Sequence, residues 1–122
     1  MLSTLDKNAV ETFLKLCKKE VERKNVLFIK NRKINLNGRI LTARQALAEI
    51  GIFKEKEIWR HVMDLNVQDC ISVSFDYGVS RDYNTKMYVF LKMINGKNVY
   101  IKLKLTYRNK VVCLSFHESN YS

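Results

Sequence analysis

The sequence predicts an α+β domain in which helices near the N-terminus pack on one face of a C-terminal antiparallel sheet. Apolar residues recur at helical spacing in the first half of the chain. In the last half they alternate at strand spacing, and turn residues separate the alternating runs. Because the chain has 122 residues, we expect one domain spanning residues 1–122.

The first helix is indicated by apolar residues that share one face, with lysine and glutamate on the other. These apolar residues are Val10, Phe13, Leu14, Cys17 and Val21. Asp6 or Asn8 is suited to cap the start of the helix, and Asn25 marks its end. A short β-branched and aromatic run from Val26 then predicts a strand, and Asn37-Gly38 predicts a turn.

Two shorter helices follow. The sequence Thr42-Ala43-Arg44-Gln45 has the form of a capping box, and Gly51 is suited to the C-terminal cap. A third helix is predicted from about Lys54 to Leu65, with an apolar stripe that includes Trp59. His61 lies outside that stripe, and we interpret it as a surface residue.

The pairing of the last strands is predicted from their apolar faces. A two-residue loop at Asn109-Lys110 pairs apolar residues throughout and places Lys102 opposite His117. A three-residue loop at Asn95-Gly96-Lys97 keeps the faces of the preceding hairpin separate. The predicted group on the sheet face away from the core is Phe90, Lys92, Tyr100, Lys102 and His117.

This group contains the side chains needed to cleave or bind RNA. Histidine is a general base or acid near neutral pH, and lysines bind phosphate and stabilise extra negative charge in a transition state. Tyrosine and phenylalanine stack on bases. The net charge of +10 favours a polyanion or an acidic protein as the partner. The residues alone leave open a second interpretation, a basic face that only follows an RNA backbone.

The composition predicts no cofactor and no metal centre. The cysteines Cys17, Cys70 and Cys113 are scattered, with no C-x-x-C pair, and we interpret them as small core residues. The sequence has neither an apolar run long enough to span a bilayer nor the apolar stretch of a signal peptide. We therefore expect a cytoplasmic protein without membrane contact.

Several segments resemble the MqsR-family toxins of bacterial type II toxin–antitoxin systems. "NGKNVYIKLKL" and "VVCLSFHE" resemble the C-terminal half of that family. "TARQALAEIG" with "DLNVQDC" resembles its helical middle, and "SRDYNTKMYVFLKMINGK" a strand-and-turn segment. The resemblance extends from about Thr42 to Glu118 and is most specific in the last two strands, where residue types on both faces match.

The resemblance implies a RelE-like fold and a metal-independent endoribonuclease (an mRNA interferase). Such an enzyme cleaves single-stranded mRNA and leaves a 2′,3′-cyclic phosphate and a 5′-hydroxyl. By position, Tyr100 matches the family's strand tyrosine, and His117 stands where some members carry lysine and others histidine. A cognate antitoxin protein is implied as partner. The chain is then expected to form either a homo-oligomer or a toxin–antitoxin hetero-oligomer.

Two family positions are not matched in this chain. A family lysine aligns near Ser72, and a family glutamine has no secure counterpart, although Asn84 or Lys86 is near. Arg81 and Lys92 are the candidate substitutes. The predicted catalytic residues are His117, Tyr100, Lys92 and Lys102, and the predicted RNA-binding residues are Arg81, Lys86, Phe90 and Lys104.

Two other functions compete with RNA cleavage. One is a non-enzymatic toxin that binds a protein target, as gyrase-directed relatives in the same superfamily do. The other is a plain RNA-binding module that uses the basic sheet face.

Overall fold

The computed structural model describes residues 4–76 and 85–120, with side chains described for 7–74 and 86–120. Its helices are α1 (Thr4–Glu22), α2 (Ala43–Glu49) and α3 (Glu55–Met63). Its strands are β1 (Val26–Phe28), β2 (Lys33–Leu36), β3 (Arg39–Thr42), β4 (Cys70–Asp76), β5 (Thr85–Ile94), β6 (Lys97–Leu105) and β7 (Val111–Glu118). A 3₁₀ turn at Val67–Asp69 precedes β4.

The α+β prediction is confirmed, and two features of the sheet were not predicted. Five strands form one sheet in the order β1-β7-β6-β5-β4, and β2 and β3 form a separate two-stranded hairpin. All pairs are antiparallel except β1 with β7, which is parallel. The order predicted from the sequence lacked both the parallel pair and the separate hairpin.

The helix ends show why these segments stop where they do. The backbone N–H groups of Lys24 and Asn25 donate to the carbonyls of Val21 and Glu20, which is the pattern of a Schellman cap. Lys24 occupies the left-handed position with φ of 62°. The helix ends at Glu22, three residues before the predicted end at Asn25, although the Asn25 N–H takes part in the cap. The predicted caps at Asp6 or Asn8 are wrong, because the helix already begins at Thr4.

The capping box that begins α2 is confirmed. Thr42 Oγ1 accepts a hydrogen bond from the Gln45 backbone N–H at 3.1 Å, and Gln45 Oε1 accepts one from the Thr42 N–H at 2.9 Å. Gly51 ends the helix with φ of 78°, again in a Schellman arrangement with Ile52. The third helix also lies where it was predicted, with Trp59 on its buried face.

The helices pack on one face of the sheet. From α1, the Phe13 ring stacks on Tyr88 with centroids 3.7 Å apart and lies 6.5 Å from the Phe90 ring. Phe90, Ile101 and Phe116 are paired across three strands and therefore share the sheet face that the helices cover. From α3, the His61 ring centroid lies 6.3 Å from that of Phe116. His61 is thus half-buried against the core, and its interpretation as a surface residue is corrected.

The predicted pairing of β6 with β7 is wrong by two residues at the site. His117 faces Tyr100, and Lys102 faces Ser115. The hairpin loop spans residues 106–110 rather than two residues, since Leu105 pairs with Val111. A β-bulge at Leu114 also shifts the pairing. Because of this bulge, Cys113 and Phe116 are both buried although they are an odd number of positions apart.

The predicted pairing of β5 with β6 is wrong as well. The loop consists of two residues, Asn95-Gly96, both with positive φ as a type I′ turn requires. Phe90 therefore faces Ile101 in the core, and Lys92 faces Val99 on the helix side. A lysine is tolerated there because its ammonium leaves the core edge and donates to the Asp64 carbonyl after α3, at 3.2 Å.

No helix within residues 4–76 and 85–120 is long and apolar enough to cross a membrane.

Candidate functional site

His117 and Tyr100 form a stacked pair on the sheet face opposite the helices. They face each other across β6 and β7, and their ring centroids are 5.3 Å apart with an interplanar angle of 16°. Both side chains are half-buried. Stacking of this kind fixes the orientation of the imidazole ring, which a proton-transfer group requires.

The hydrogen bonding of His117 determines which ring nitrogen is available. Its Nδ1 lies 2.9 Å from the Glu118 backbone carbonyl, which can only accept, so Nδ1 carries the proton. In the neutral ring, Nε2 then carries the free lone pair. Burial lowers the pKa of His117 below its usual 6.5, the Glu118 hydrogen bond partly opposes this, and the Arg32 charge lowers it further. At neutral pH the side chain is therefore an unprotonated base.

A cleft of about 440 Å³ lies beside this pair. β1 pairs with β7 only as far as Cys113, and the segment that follows β1, from Ile29 to Asn35, contributes to the lining of the cleft. Its lining residues are Phe28, Ile29, Arg32, Lys33, Ile34, Asn35, Ala43, Tyr100, Lys102, Leu114, Ser115, Phe116, His117 and Asn120.

The charge of the cleft is entirely positive. Arg32, Lys33 and Lys102 line it, and none of its described lining residues is an aspartate or glutamate. Within the part of the chain that the structure describes, the Lys102 ammonium forms no hydrogen bond or ion pair. Three cations around a small cleft favour a ligand with negative charge, since the cleft offers no internal counter-charge.

The outer wall of the cleft, opposite the sheet, consists of Arg32, Lys33, Asn35 and Asn120. Amide groups hold this wall in place. The Asn120 side chain accepts from the Asn37 backbone N–H at 3.1 Å and donates to the Asn35 carbonyl at 3.2 Å. Asn35 in turn accepts from the Gly38 N–H at 2.9 Å and closes the β2–β3 turn. The hairpin is thereby fixed against the segment that follows β7.

The structure brings together three of the eight residues predicted from the sequence. Tyr100, Lys102 and His117 share the cleft. Lys104 lies on the same sheet face, opposite Met87 and Val112, but outside the cleft.

Three other predicted residues, all within the described part of the chain, do not join the site. Phe90 is fully buried in the core, Lys92 points to the helix side, and alternation along β5 places Lys86 on the helix side with Tyr88. These three assignments are corrections, and they follow from the different strand pairing. Arg81 and the neighbouring Asn84 lie outside the described residues.

The sequence prediction missed the outer wall of the cleft, which contributes Arg32, Lys33, Asn35 and Asn120. A usable signal was present in the basic segment "KNRK" directly after the predicted strand at Val26. The sequence did not indicate that this strand pairs with the last one, and that pairing is what brings the segment to His117.

Within residues 4–76 and 85–120, the His, Cys, Asp and Glu side chains form no group of three or more that could hold a metal ion. Among the described residues, burial raises the pKa of the Cys17 and Cys113 thiols, so both stay protonated. No family model, curated protein or solved structure matches the chain.

Proposed function

We propose that this chain is a metal-independent endoribonuclease that cleaves single-stranded mRNA. The observation that supports it most is the neutral, ring-stacked His117 in a cleft lined by three cations and, among its described residues, by no carboxylate. This combines a base near neutral pH with groups that bind and stabilise a phosphate. The cleft volume of about 440 Å³ lies in the range of small-molecule sites, and a nucleotide fits that class.

The proposed reaction is an internal transesterification. His117 Nε2 takes the proton of the ribose 2′-hydroxyl, and the 2′-oxygen forms a bond to the adjacent phosphorus. The bond from phosphorus to the 5′-oxygen breaks, and that oxygen leaves with a proton. The products are a 2′,3′-cyclic phosphate and a 5′-hydroxyl, and neither oxidation nor a co-reactant is involved.

The neighbouring side chains have separate tasks in this proposal. The Lys102 ammonium neutralises the charge that grows on the non-bridging phosphate oxygens. Tyr100 holds the imidazole by stacking, and the proton of the leaving oxygen would come from Lys102 or from the Tyr100 hydroxyl, since both residues line the same cleft. Lys104, beyond the cleft on the same face, extends the basic track for the RNA strand.

The biological role that we propose is that of a RelE-like toxin in a type II toxin–antitoxin system. The MqsR-family resemblance supports it, since the two strands that carry the resemblance, β6 and β7, are the strands that form the stacked pair. The toxin would act on mRNA in the cytoplasm, and an acidic antitoxin protein would bind it in a hetero-oligomer. The net charge of +10 supports both partners.

The test is cleavage of a single-stranded RNA in EDTA by purified wild-type protein, His117→Gln and His61→Gln. We expect a 2′,3′-cyclic phosphate product with wild type and a loss of about 10²–10⁴-fold with His117→Gln. His61 is the only other histidine and packs on the opposite sheet face, so His61→Gln should keep wild-type activity.

Other outcomes select the competing functions. Growth arrest without RNA breakage would identify a toxin that binds a protein target. RNA binding without cleavage or growth arrest would identify a plain binding module. Equal cleavage by wild type and His117→Gln would refute the assignment of the base.

A further inference from the structure

Arg32 approaches His117 from a part of the chain that the family resemblance does not reach. The resemblance begins at about Thr42, whereas Arg32 lies in the segment between β1 and β2. Its Nη1 donates to the Leu114 backbone carbonyl at 3.0 Å. Leu114 is the residue at the bulge in β7, so the guanidinium is attached to the same strand that carries His117.

This anchor leaves most of the guanidinium available. Arginine has five N–H donors in a planar fork, and the described contacts use one of them. The residue lines the cleft with His117, and no carboxylate stands among the described lining residues to neutralise it. Its charge also lowers the pKa of His117, as expected of a cation close to the ring.

The position of Arg32 complements that of Lys102. Lys102 belongs to β6, which pairs with one edge of β7, whereas Arg32 follows β1, which pairs with the other edge of β7. A phosphate beside His117 Nε2 would then have a cation on each side. Ser72, near which the unmatched family lysine aligns, lies three strands away on β4, roughly 14 Å from β7.

We infer that Arg32 is a catalytic residue that binds the scissile phosphate and stabilises its developing negative charge. The inference rests on the proposed endoribonuclease function. The fork of the guanidinium suits two non-bridging oxygens of one phosphate, which an ammonium group cannot contact in the same planar way. The Leu114 hydrogen bond holds one N–H of the exposed guanidinium at β7, which reduces the side-chain order that has to be gained on binding.

The first measurement is the kcat for RNA cleavage by Arg32→Gln, Arg32→Lys and the control Lys30→Gln. Lys30 lies two positions away, but its ammonium pairs with Glu55 at 2.8 Å and it lines a different pocket. We expect kcat to fall by about 10²–10³-fold in Arg32→Gln. Arg32→Lys should recover part of that loss, because it keeps the charge without the fork, and Lys30→Gln should resemble wild type.

A wild-type kcat in Arg32→Gln would overturn the inference. Circular dichroism and thermal unfolding establish that the variants are folded, and Arg32→Lys provides the comparison if Arg32→Gln does not fold. An equal loss in Lys30→Gln would also overturn the inference, because it would attribute the effect to general basicity of the segment.

The second measurement does not depend on cleavage. The ring proton signals of His117 are followed by NMR over a pH titration and during addition of inorganic phosphate. Arg32→Gln should raise the pKa of His117 and weaken phosphate binding, whereas Lys30→Gln should change neither. If wild-type protein cleaves no RNA, the proposed function fails, and this titration still decides whether Arg32 binds phosphate. Identical titrations for wild type and Arg32→Gln would refute that role.

Discussion

Replacing Lys102 and Lys92 separately by methionine tests the observed strand pairing against the one expected from the sequence. The expected pairing placed both lysines beside His117. In the structure only Lys102 lines the cleft, and Lys92 donates to the Asp64 carbonyl on the helix side. Methionine keeps most of the apolar stem of lysine and removes the charge, so each variant isolates the ammonium group.

The expected size of each effect follows from its surroundings. A cation about 4 Å from a phosphate charge contributes about 4 kcal/mol at an effective dielectric constant of about 20. Removing one donor to a developing oxyanion costs about 2.7–4 kcal/mol, or about 10²–10³-fold in kcat. Lys102→Met should therefore lose that much activity. Lys92→Met loses one hydrogen bond near the surface, which lowers the stability by about 0.5–1.5 kcal/mol. Its cleavage activity should stay unchanged.

The assay is initial cleavage rate on a fluorogenic RNA at saturating substrate, with thermal unfolding measured on the same samples. Lys92→Met should unfold a few degrees below wild type and cleave at the wild-type rate. Lys102→Met should show the reverse, a wild-type unfolding temperature and a low rate. Equal losses of activity in both variants would refute the observed pairing, and a loss only in Lys92→Met would refute both the pairing and the role of Lys102.

Four further predictions concern the base, a helix end and the core. Because the pKa of His117 is lowered in the folded protein, the acid limb of the kcat/KM profile should lie below pH 6.5, and a limb above that value would contradict a free neutral base. The same lowered pKa means that protonation favours the unfolded chain, so stability from this group is present above pH 6.5 and is lost as the pH falls through the folded pKa. Lys24→Gly should raise the free energy of unfolding by about 0.5–1 kcal/mol in chemical denaturation, since φ of 62° is strained for lysine, and a lower denaturation midpoint would contradict this. Phe90→Ala should lower the free energy of unfolding by about 3–5 kcal/mol because the side chain is 0% exposed, whereas a mild effect on stability with a specific loss of RNA affinity would restore its predicted role as a stacking platform.

The sequence was sufficient for the local elements because their signals are local. The capping box at Thr42, the cap at Gly51 and the apolar stripe around Trp59 each depend on residues within a few positions of one another. The alternation in β6 and β7 also placed Tyr100, Lys102 and His117 on the correct sheet face. Side chains alternate between the two faces of a regular strand, so their direction can be read from the sequence wherever no bulge intervenes.

The pairing between strands could not be predicted because it depends on loop length and bulges. The bulge at Leu114 changes the parity within β7, and the run of apolar residues there is compatible with either parity. Lys92 was misleading for another reason, since a lysine at the edge of a core can extend its ammonium to a helix end. When only the pattern of apolar residues is considered, such a lysine is assigned to the solvent-exposed face of the sheet.

The outer wall of the cleft required information that no local pattern contains. Arg32 reaches the site only because β1 pairs with β7, and the hydrogen bond between Arg32 and Leu114 joins residues 82 positions apart. Contacts of that sequence separation are visible only when the whole sheet is assembled.

The same separation has a consequence for the order of events during synthesis. The hydrogen bonds that fix the outer wall join residues 82, 83 and 85 positions apart, so β1 and the β2–β3 hairpin leave the ribosome long before their partners exist. Closing so long a loop is slow compared with forming a local hairpin. The cleft is therefore absent while β7 is still being translated. If the chain is the nuclease proposed above, the mRNA being translated to make it is not exposed to the cleft of that copy until β7 has emerged.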